Sequence, residues 1–468
     1  AMPIFMPYFH KETGGMRVED FMKDYYFNFG KEHGIARFGP SNDPVAIVFN
    51  EDYLQVFHKE GKYPAGILTG AWAVDEYNRK YVEGYPKNPF LYDGETWRKG
   101  RMAVNPYLFN IKEAQSYLPA INETVNSAVH YFEEYATSGK MDKFLELCAF
   151  DMFTAASLGI QNKSVAGDPE GLEIAESIIG SLSTLSKVST ECPYSKYDML
   201  KFSAWDNFKK KWSTGREASK KLMKMALEDG EGSGKSIMHG FLGDKELKIS
   251  DEEANEMYLM LTFAAADTTS SLTNNVLSNL AKNPDIQDKA RAEMKQELGG
   301  DDYNPEGTKL PYFEQVLKET QRLTPTLGFT NVKSNIPRDL VMNGYTIPAG
   351  ATVIFSNMGI AHDEQLAGPH PQVFDPDRFS EEKIAARKGT RAEFLDHPLA
   401  CKPFGFGARM CVGSRIAKLE YMSLICRLIQ DYELRVDEQK SAPVDERVRV
   451  SRVTTIEYPC PVFKVDKL

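Results

Sequence analysis

Apolar and polar positions follow three successive regimes along this chain. Near the start, Val18 to Gly34 carries a helical pattern. Ile35 to Asn50 then shows short apolar runs around Gly39-Pro40 and Asp43-Pro44, which predicts a β-hairpin. From Trp97 to about Gly299 the pattern becomes long helical stretches, separated by pieces such as Glu228-Asp229-Gly230-Glu231-Gly232-Ser233-Gly234, an inter-helix loop by its glycine content. Ser250 followed by Glu253 is a capping box, in which each side chain satisfies the other's backbone amide. It opens a long helix to about Asn283, where Pro284 stops or restarts it. Tyr312 to Leu323 predicts a shorter helix ended by Pro325. Leu327 to Phe355 returns to strand character with turns at Asn343-Gly344 and Pro348-Ala349-Gly350, and Gly413 to Asp431 is the last strong helix. No internal repeat or low-complexity segment appears, and strand-bearing pieces flank the helical middle. The expected fold is mainly α with small β-sheets (α+β), one domain over 1–468. Its β-rich parts, about 30–75 and 325–380, pack on a helical core.

Composition narrows the function classes. Hydrophobic residues at 42% supply a sizeable core, which excludes a mainly disordered chain. A net charge of -10 disfavours nucleic acid, whose phosphates demand a basic surface. Cys148, Cys192, Cys401, Cys411, Cys426 and Cys460 lack the short spacing of a disulfide framework or zinc site, so a reducing compartment is expected. No run of about 18 apolar residues exists, so the sequence carries no transmembrane helix. Ala1-Met2 reads as a cloning remnant, leaving room for a native anchor or transit peptide ahead of it.

The most informative stretch is Phe404-Gly405-Phe406-Gly407-Ala408-Arg409-Met410-Cys411-Val412-Gly413, a glycine-rich loop delivering a cysteine at the start of a helix. Amides at a helix N-terminus favour thiolate, the glycines permit close approach to a flat ligand, and Arg409 can reach an anionic group. A lone cysteine is most often an inert buried thiol. The surrounding residues overturn that reading, because Phe404, Gly407, Arg409, Cys411 and Gly413 match the haem-binding signature of the cytochrome P450 superfamily, which this sequence resembles. The resemblance implies a P450 fold with a long central helix over haem b, held by Cys411 as the metal ligand.

Four further motifs resemble family elements in the family's order. Ala264-Ala265-Ala266-Asp267-Thr268-Thr269 interrupts the long helix, where polar residues need an explanation. The resemblance makes Asp267 and Thr268 a catalytic pair that binds water and relays protons to the dioxygen being activated, with small Ala264 leaving room over the haem. Many relatives carry glycine where Ala265 stands, so the oxygen groove should be slightly narrower. Trp97 and Arg101 are similar to the family's Trp-x-x-x-Arg pair, which binds a haem propionate. Lys333 is a further propionate candidate. Glu319, Arg322 and, from Phe374-Asp375-Pro376-Asp377-Arg378-Phe379, Arg378 resemble the family's structural network of one carboxylate and two guanidinium groups.

The implied reaction is haem-thiolate monooxygenation, one oxygen atom of O2 entering a lipophilic small molecule such as a terpenoid, sterol or fatty acid. By family position the pocket draws on Trp72, Phe263, Leu327, Phe329 and Thr454. No flavin-domain or iron–sulfur cysteine pattern appears, so NAD(P)H electrons must arrive through a ferredoxin or flavoprotein reductase. Lys402, Arg409, Arg415, Lys418 and Arg427, with few acids nearby, and Lys318 form the expected docking face for an acidic ferredoxin. The stretches Gly94 to Pro106 and Cys411 to Leu434 are similar to the mitochondrial branch. A monomer is expected, membrane-associated in the mitochondrion or endoplasmic reticulum through a removed N-terminal segment, the given chain itself being soluble. Two rivals stand beside this reading: a haem-thiolate peroxide isomerase or dehydratase, and a non-catalytic haem sensor.

Overall fold

The capping box at Ser250 closes as its sequence predicts. In the computed structural model the Ser250 hydroxyl accepts the Glu253 amide at 3.2 Å, and the Glu253 carboxylate accepts the Ser250 amide at 3.0 Å. The residues described are 18–38, 45–58, 64, 66, 72–191, 203–228, 237, 248–327, 331–401, 403–441, 449–451, 455–457 and 460–468. The main helices are α1 (Val18–Tyr25), α2 (Trp72–Tyr81), α3 (Gly94–Val104), α4 (Leu118–Ala128), α5 (Met141–Leu158), α6 (Pro169–Glu191), α7 (Ser203–Glu228), α8 (Asp251–Lys282), α9 (Pro284–Leu298), α10 (Pro311–Leu323) and α11 (Ser414–Asp431).

The 32-residue α8 is the axis of the molecule. It packs against α5, α7, α9, α10 and α11 and is buried on almost every side. Its mid-helix hydroxyls do not compete with the helix. Thr262, Thr268 and Thr273 each donate to the carbonyl four residues back, at 2.9, 2.7 and 2.8 Å. Acids at Asp251, Glu252 and Glu253 complement the positive end of the helix dipole. Ser250→Ala therefore lowers stability by about 1 kcal/mol, read as a shifted urea midpoint at unchanged slope; an unshifted midpoint refutes the cap's contribution.

The predicted hairpin pairs β1 (Ile35–Phe38) with β2 (Val45–Val48), antiparallel. It extends into a sheet ordered β1-β2-β6-β3, where β3 is Asn331–Lys333 and β6 is Thr352–Phe355. The β2–β6 contact is parallel and the β3–β6 contact antiparallel, so chain segments some 300 residues apart share one sheet. The expected β-rich regions are wider than the observed strands. Within the first, Glu51–Phe57 is a 3-10 helix and α2 begins at Trp72, and within the second, Ile360–His362 and Pro376–Phe379 are 3-10 turns. Asn50 and Asp375 are the cause of two of these, since each side chain accepts the amide two residues on and turns the chain out of strand geometry. Smaller two-stranded sheets pair β4 (Leu340–Met342) with β5 (Tyr345–Ile347), β7 (Tyr432–Val436) with β10 (Phe463–Lys467), and β8 (Arg449–Ser451) with β9 (Thr455–Glu457).

Two apolar cores result. The larger joins α4, α5, α6, α7, α8 and α11 through side chains such as Phe144, Phe150, Trp212 and Ile425. The smaller lies on the mixed sheet, with Ile47, Tyr53, Val353 and Phe355. Among the described residues no helix is long and apolar enough to cross a membrane.

Candidate active site

Between α8, the cysteine loop and α11 lies a cavity of about 310 Å³. On α8 its wall is Leu261, Ala264, Ala265, Thr268, Thr269 and Leu272, spaced as one helical face. Asp267 lies about 60° of helix rotation outside that arc and does not line the cavity, whereas Thr268 does. The acid–alcohol pair of the sequence is thus split: the hydroxyl faces the cavity and the carboxylate is buried beside it, with its own interactions.

The cysteine loop is built by its glycines. Gly405 and Gly407 take φ of +71° and +69°, a left-handed conformation that side-chain-bearing residues disfavour. The resulting turns bring the Cys411 amide onto the Phe404 carbonyl at 2.9 Å and the Met410 amide onto Gly407 at 3.1 Å. Cys411 is exposed and lines the cavity. Burial pushes its thiol above the ordinary value, while backbone amides of Gly413 and Ser414 and the Arg101 guanidinium oppose that rise. Arg101 donates to the Met410 carbonyl at 2.7 Å, and its buried Nε has no hydrogen-bond partner among the described residues. Trp97 and Arg101 also line a second pocket of about 340 Å³ against the same loop. Arg409 stacks over Trp97, 4.5 Å from the ring centroid, and pairs with Asp93.

These features fit haem. The cavity is mostly apolar and carries a sulfur held by amide dipoles, as a flat apolar macrocycle with a metal centre requires. Propionate-type anions have waiting donors: the Nε of Arg101 and, in the cavity wall, the Nδ2 of Asn331, both unpartnered among the described residues, while the buried Lys333 in the same wall has interactions of its own, its ammonium 5.0 Å from the Phe57 ring centroid. Asn331 was not anticipated from sequence, because nothing marks an asparagine in a three-residue strand as cavity-facing.

Of the expected pocket residues, Leu327 and Ala264 line the cavity. Trp72 does not: it stacks on Trp205 at 5.7 Å, the start of a run continuing through Phe208 to Trp212. Phe263 packs against the main core outside the cavity-facing arc of α8. Phe329 and Thr454 lie outside the described residues. Glu319 is fully buried and accepts two bonds from Arg322, both at 2.7 Å, one from the Asp375 amide at 2.9 Å and one from Arg378 at 3.4 Å. Other guanidinium donors go to the carbonyls of Ala361, Ala367 and Val373, so three segments converge on one carboxylate.

The basic docking face is less open than the sequence suggests. Lys418 meets Glu314 at 3.6 Å, Arg427 bonds Asp431 at 2.8 Å with Asp302 beyond, Arg415 donates to the Phe109 carbonyl at 2.7 Å, and Arg409 is buried on Asp93. Acids distant in sequence fold back among the bases. Lys318 is exposed, and Lys402 lies outside the described residues.

Comparison with known proteins agrees with this geometry. The cytochrome P450 family model matches residues 1–458. Rat mitochondrial sterol 26-hydroxylase is 26% identical over 422 residues, 86% of this chain and 76% of that protein. The human enzyme of that name is 27% identical over 81% of this chain and 72% of its own length, and the bullfrog mitochondrial cytochrome P450 11B is 25% identical over 87% and 79%. A cavity-facing cysteine in the family's glycine-rich loop and a family match over nearly the whole length lead to one conclusion: the chain belongs to the cytochrome P450 family and is a monooxygenase of that family.

Proposed function

We propose that this monooxygenase inserts one atom of O2 into a lipophilic small molecule, of the terpenoid, sterol or fatty-acid class, using NAD(P)H electrons passed on by a ferredoxin-type partner. The observation carrying this reading is the cavity itself, with Cys411 on the loop side, Thr268 on the α8 side and an apolar lining between them. Haem held by Cys411 supplies the redox chemistry that activates dioxygen. The chain's residues do the rest. Gly413 and Ser414 amides hold the sulfur. Phe153, Leu261, Leu272 and Val332 exclude water and give a hydrocarbon substrate its contact surface, while Gln321 and Thr326 offer a polar end for a hydroxyl or carboxylate group. The Thr268 hydroxyl donates to the Ala264 carbonyl, so its oxygen is held with lone pairs available to cavity water and it moves protons rather than substrate. Asp267, buried next to it, serves as the charged neighbour of that relay.

Relatives named as mitochondrial sterol hydroxylases favour a sterol-like substrate and a mitochondrial setting. Exposed Lys318, close in sequence to the Glu319 network, remains the best anchor for an acidic carrier. The chain is read as a single-domain monomer. Thr268→Ala tests the relay: product formed per reductant consumed falls about tenfold or more while reductant use continues. Unchanged coupling refutes the relay, and rearrangement of a peroxide substrate as the protein's turnover, with no product formed from O2 and reduced nicotinamide, replaces the oxygenase reading with an isomerase.

A further inference from the structure

The cavity-facing stripe of α8 continues past the cavity. Thr268 and Leu272 belong to the cavity wall. Asn275 and Asn279 extend the same line at helical spacing, all four lying within about 60° of rotation. Neither asparagine is part of the wall. Both are buried, at 1% and 5% exposed, in a helix body where an amide side chain has little intrinsic advantage. Each directs its amide nitrogen to one residue of α10. Asn275 Nδ2 donates to the Thr324 carbonyl at 2.9 Å, and Asn279 Nδ2 donates to the Thr324 hydroxyl at 2.9 Å.

Thr324 is the C-cap of α10, and its chemistry calls for such partners. Its amide and its hydroxyl both donate to the Thr320 carbonyl, at 2.7 and 3.1 Å. Pro325 follows without an amide hydrogen and ends the helix. The Thr324 carbonyl is then one of the orphan acceptors of a helix end, and Asn275 satisfies it from the neighbouring helix. The hydroxyl, whose one hydrogen goes to Thr320, can only accept from Asn279. The orientation of both side-chain amides is thus fixed by their partners.

Stability alone does not account for the pair. The Oδ1 of Asn275 and the Oγ1 of Thr320 are buried with no hydrogen-bond partner among the described residues. A half-satisfied buried amide is a poorer filler than an apolar side chain of similar size. What the asparagines supply is register: two directional bonds, from positions four apart on α8, pin one residue of α10. That residue controls the wall. Gln321, three positions before it, lines the cavity, as do Thr326 and Leu327, two and three positions after it. Gln321 Nε2 donates to the Thr326 hydroxyl at 3.2 Å, which ties the two sides of the turn together.

We infer that Asn275 and Asn279 are positioning residues for substrate selectivity: they set where the α10 turn stands relative to Thr268, and so which carbon of an anchored substrate is presented for oxidation. The inference rests on the oxygenase reading and on the polar end assigned to Gln321 and Thr326. A substrate whose carboxylate or hydroxyl is held at that end is measured off against Thr268, and one stripe of α8 carries both marks.

The test uses the haem-loaded full chain and equilibrium binding, with turnover as a second readout. The probes are ω-(imidazol-1-yl)alkanoic acids of increasing chain length and the matching 1-alkylimidazoles, which lack the polar end. Their imidazole nitrogen gives a Soret shift on binding, so each yields a Kd. In wild type, affinity for the acids peaks at one chain length and exceeds that of the alkylimidazoles about tenfold, the worth of one well-placed polar contact. Asn275→Leu and Asn279→Leu each lose the peak, leave the alkylimidazole affinities close to wild type, and spread fatty-acid hydroxylation over neighbouring carbons. Thr324→Ser keeps the carbonyl and the hydroxyl and keeps the peak. Thr324→Val lacks the hydroxyl and behaves as Asn279→Leu, and the two together add nothing further. Asn279→Leu is the variant safest for folding, since the Thr324 hydroxyl still donates to Thr320. A purely structural role would weaken both probe series in parallel, and that result overturns the inference. So does a peak that survives in both asparagine variants. If wild type binds the acids no better than the alkylimidazoles, the inference falls together with the polar end it serves. Failure of the oxygenase reading shows elsewhere, as no product from O2 and reduced nicotinamide.

Discussion

Cys411→Ala gives a folded protein that no longer forms the thiolate-type reduced carbon-monoxide complex and whose turnover falls by well over a hundredfold. The magnitude follows from what the residue is. Partners that merely orient a metal ligand cost roughly 10- to 100-fold when removed, and Cys411 is the cysteine that lines the cavity. Folding should survive, because the loop's shape comes from the positive φ of Gly405 and Gly407 and from main-chain bonds, including that from the Cys411 amide to Phe404. The alanine side chain fits where the cysteine stood, and what is lost is the sulfur as partner of the Gly413 and Ser414 amides. Absorbance of the reduced, carbon-monoxide-bound protein is the measurement. A long-wavelength Soret band retained in the variant would mean that another thiolate is the ligand, and the site would have to move away from the loop.

Glu319→Gln costs more stability than any surface ion pair in the molecule, about 3–5 kcal/mol. The variant keeps the shape but removes the charge to which two buried guanidinium groups are matched. Arg322 and Arg378 are 4% and 7% exposed, so neither can turn to water for compensation. Typical domains have only about 5–15 kcal/mol in total, so this loss shows as a large drop in the urea midpoint and in the yield of haem-loaded protein. A midpoint within about 1 kcal/mol of wild type would show that the carbonyls of Ala361, Ala367 and Val373 carry the arginines without the carboxylate's charge. Exposed pairs such as Lys143–Glu176 provide the control, since their removal moves stability by at most about 1 kcal/mol.

Local signals were legible in the sequence wherever one residue type answers one backbone demand. Ser250 and Glu253 set the start of α8, Pro284 its replacement by α9, and the glycines of 405–407 the cysteine loop. Motifs singled out Cys411, Thr268 and Glu319, and the structure puts the first two on the wall of one cavity and the third between Arg322 and Arg378. What sequence could not supply was rotation and distance. Asp267 and Thr268 are adjacent in the chain, yet 100° per residue separates their faces. Trp72 has the composition of a pocket wall and instead found Trp205 on α7. Glu420 reads as one more helical acid, since its burial depends on α8 arriving over α11. The acid that meets Lys418 lies more than a hundred residues away at Glu314, and Arg427 adds distant Asp302 at 4.0 Å to its own Asp431.

The ring run from Trp72 to Trp212 gives the molecule an optical property of its own. Three of its four tryptophans, Trp72, Trp205 and Trp212, belong to one stacked array, with only Trp97 elsewhere. Trp72 is the single member on α2, the others being on α7. Near-ultraviolet circular dichroism and tryptophan emission therefore report chiefly on one joint, the seating of α2 on α7, and any ligand that loosens or tightens that joint writes its effect into the intrinsic spectrum without an added label.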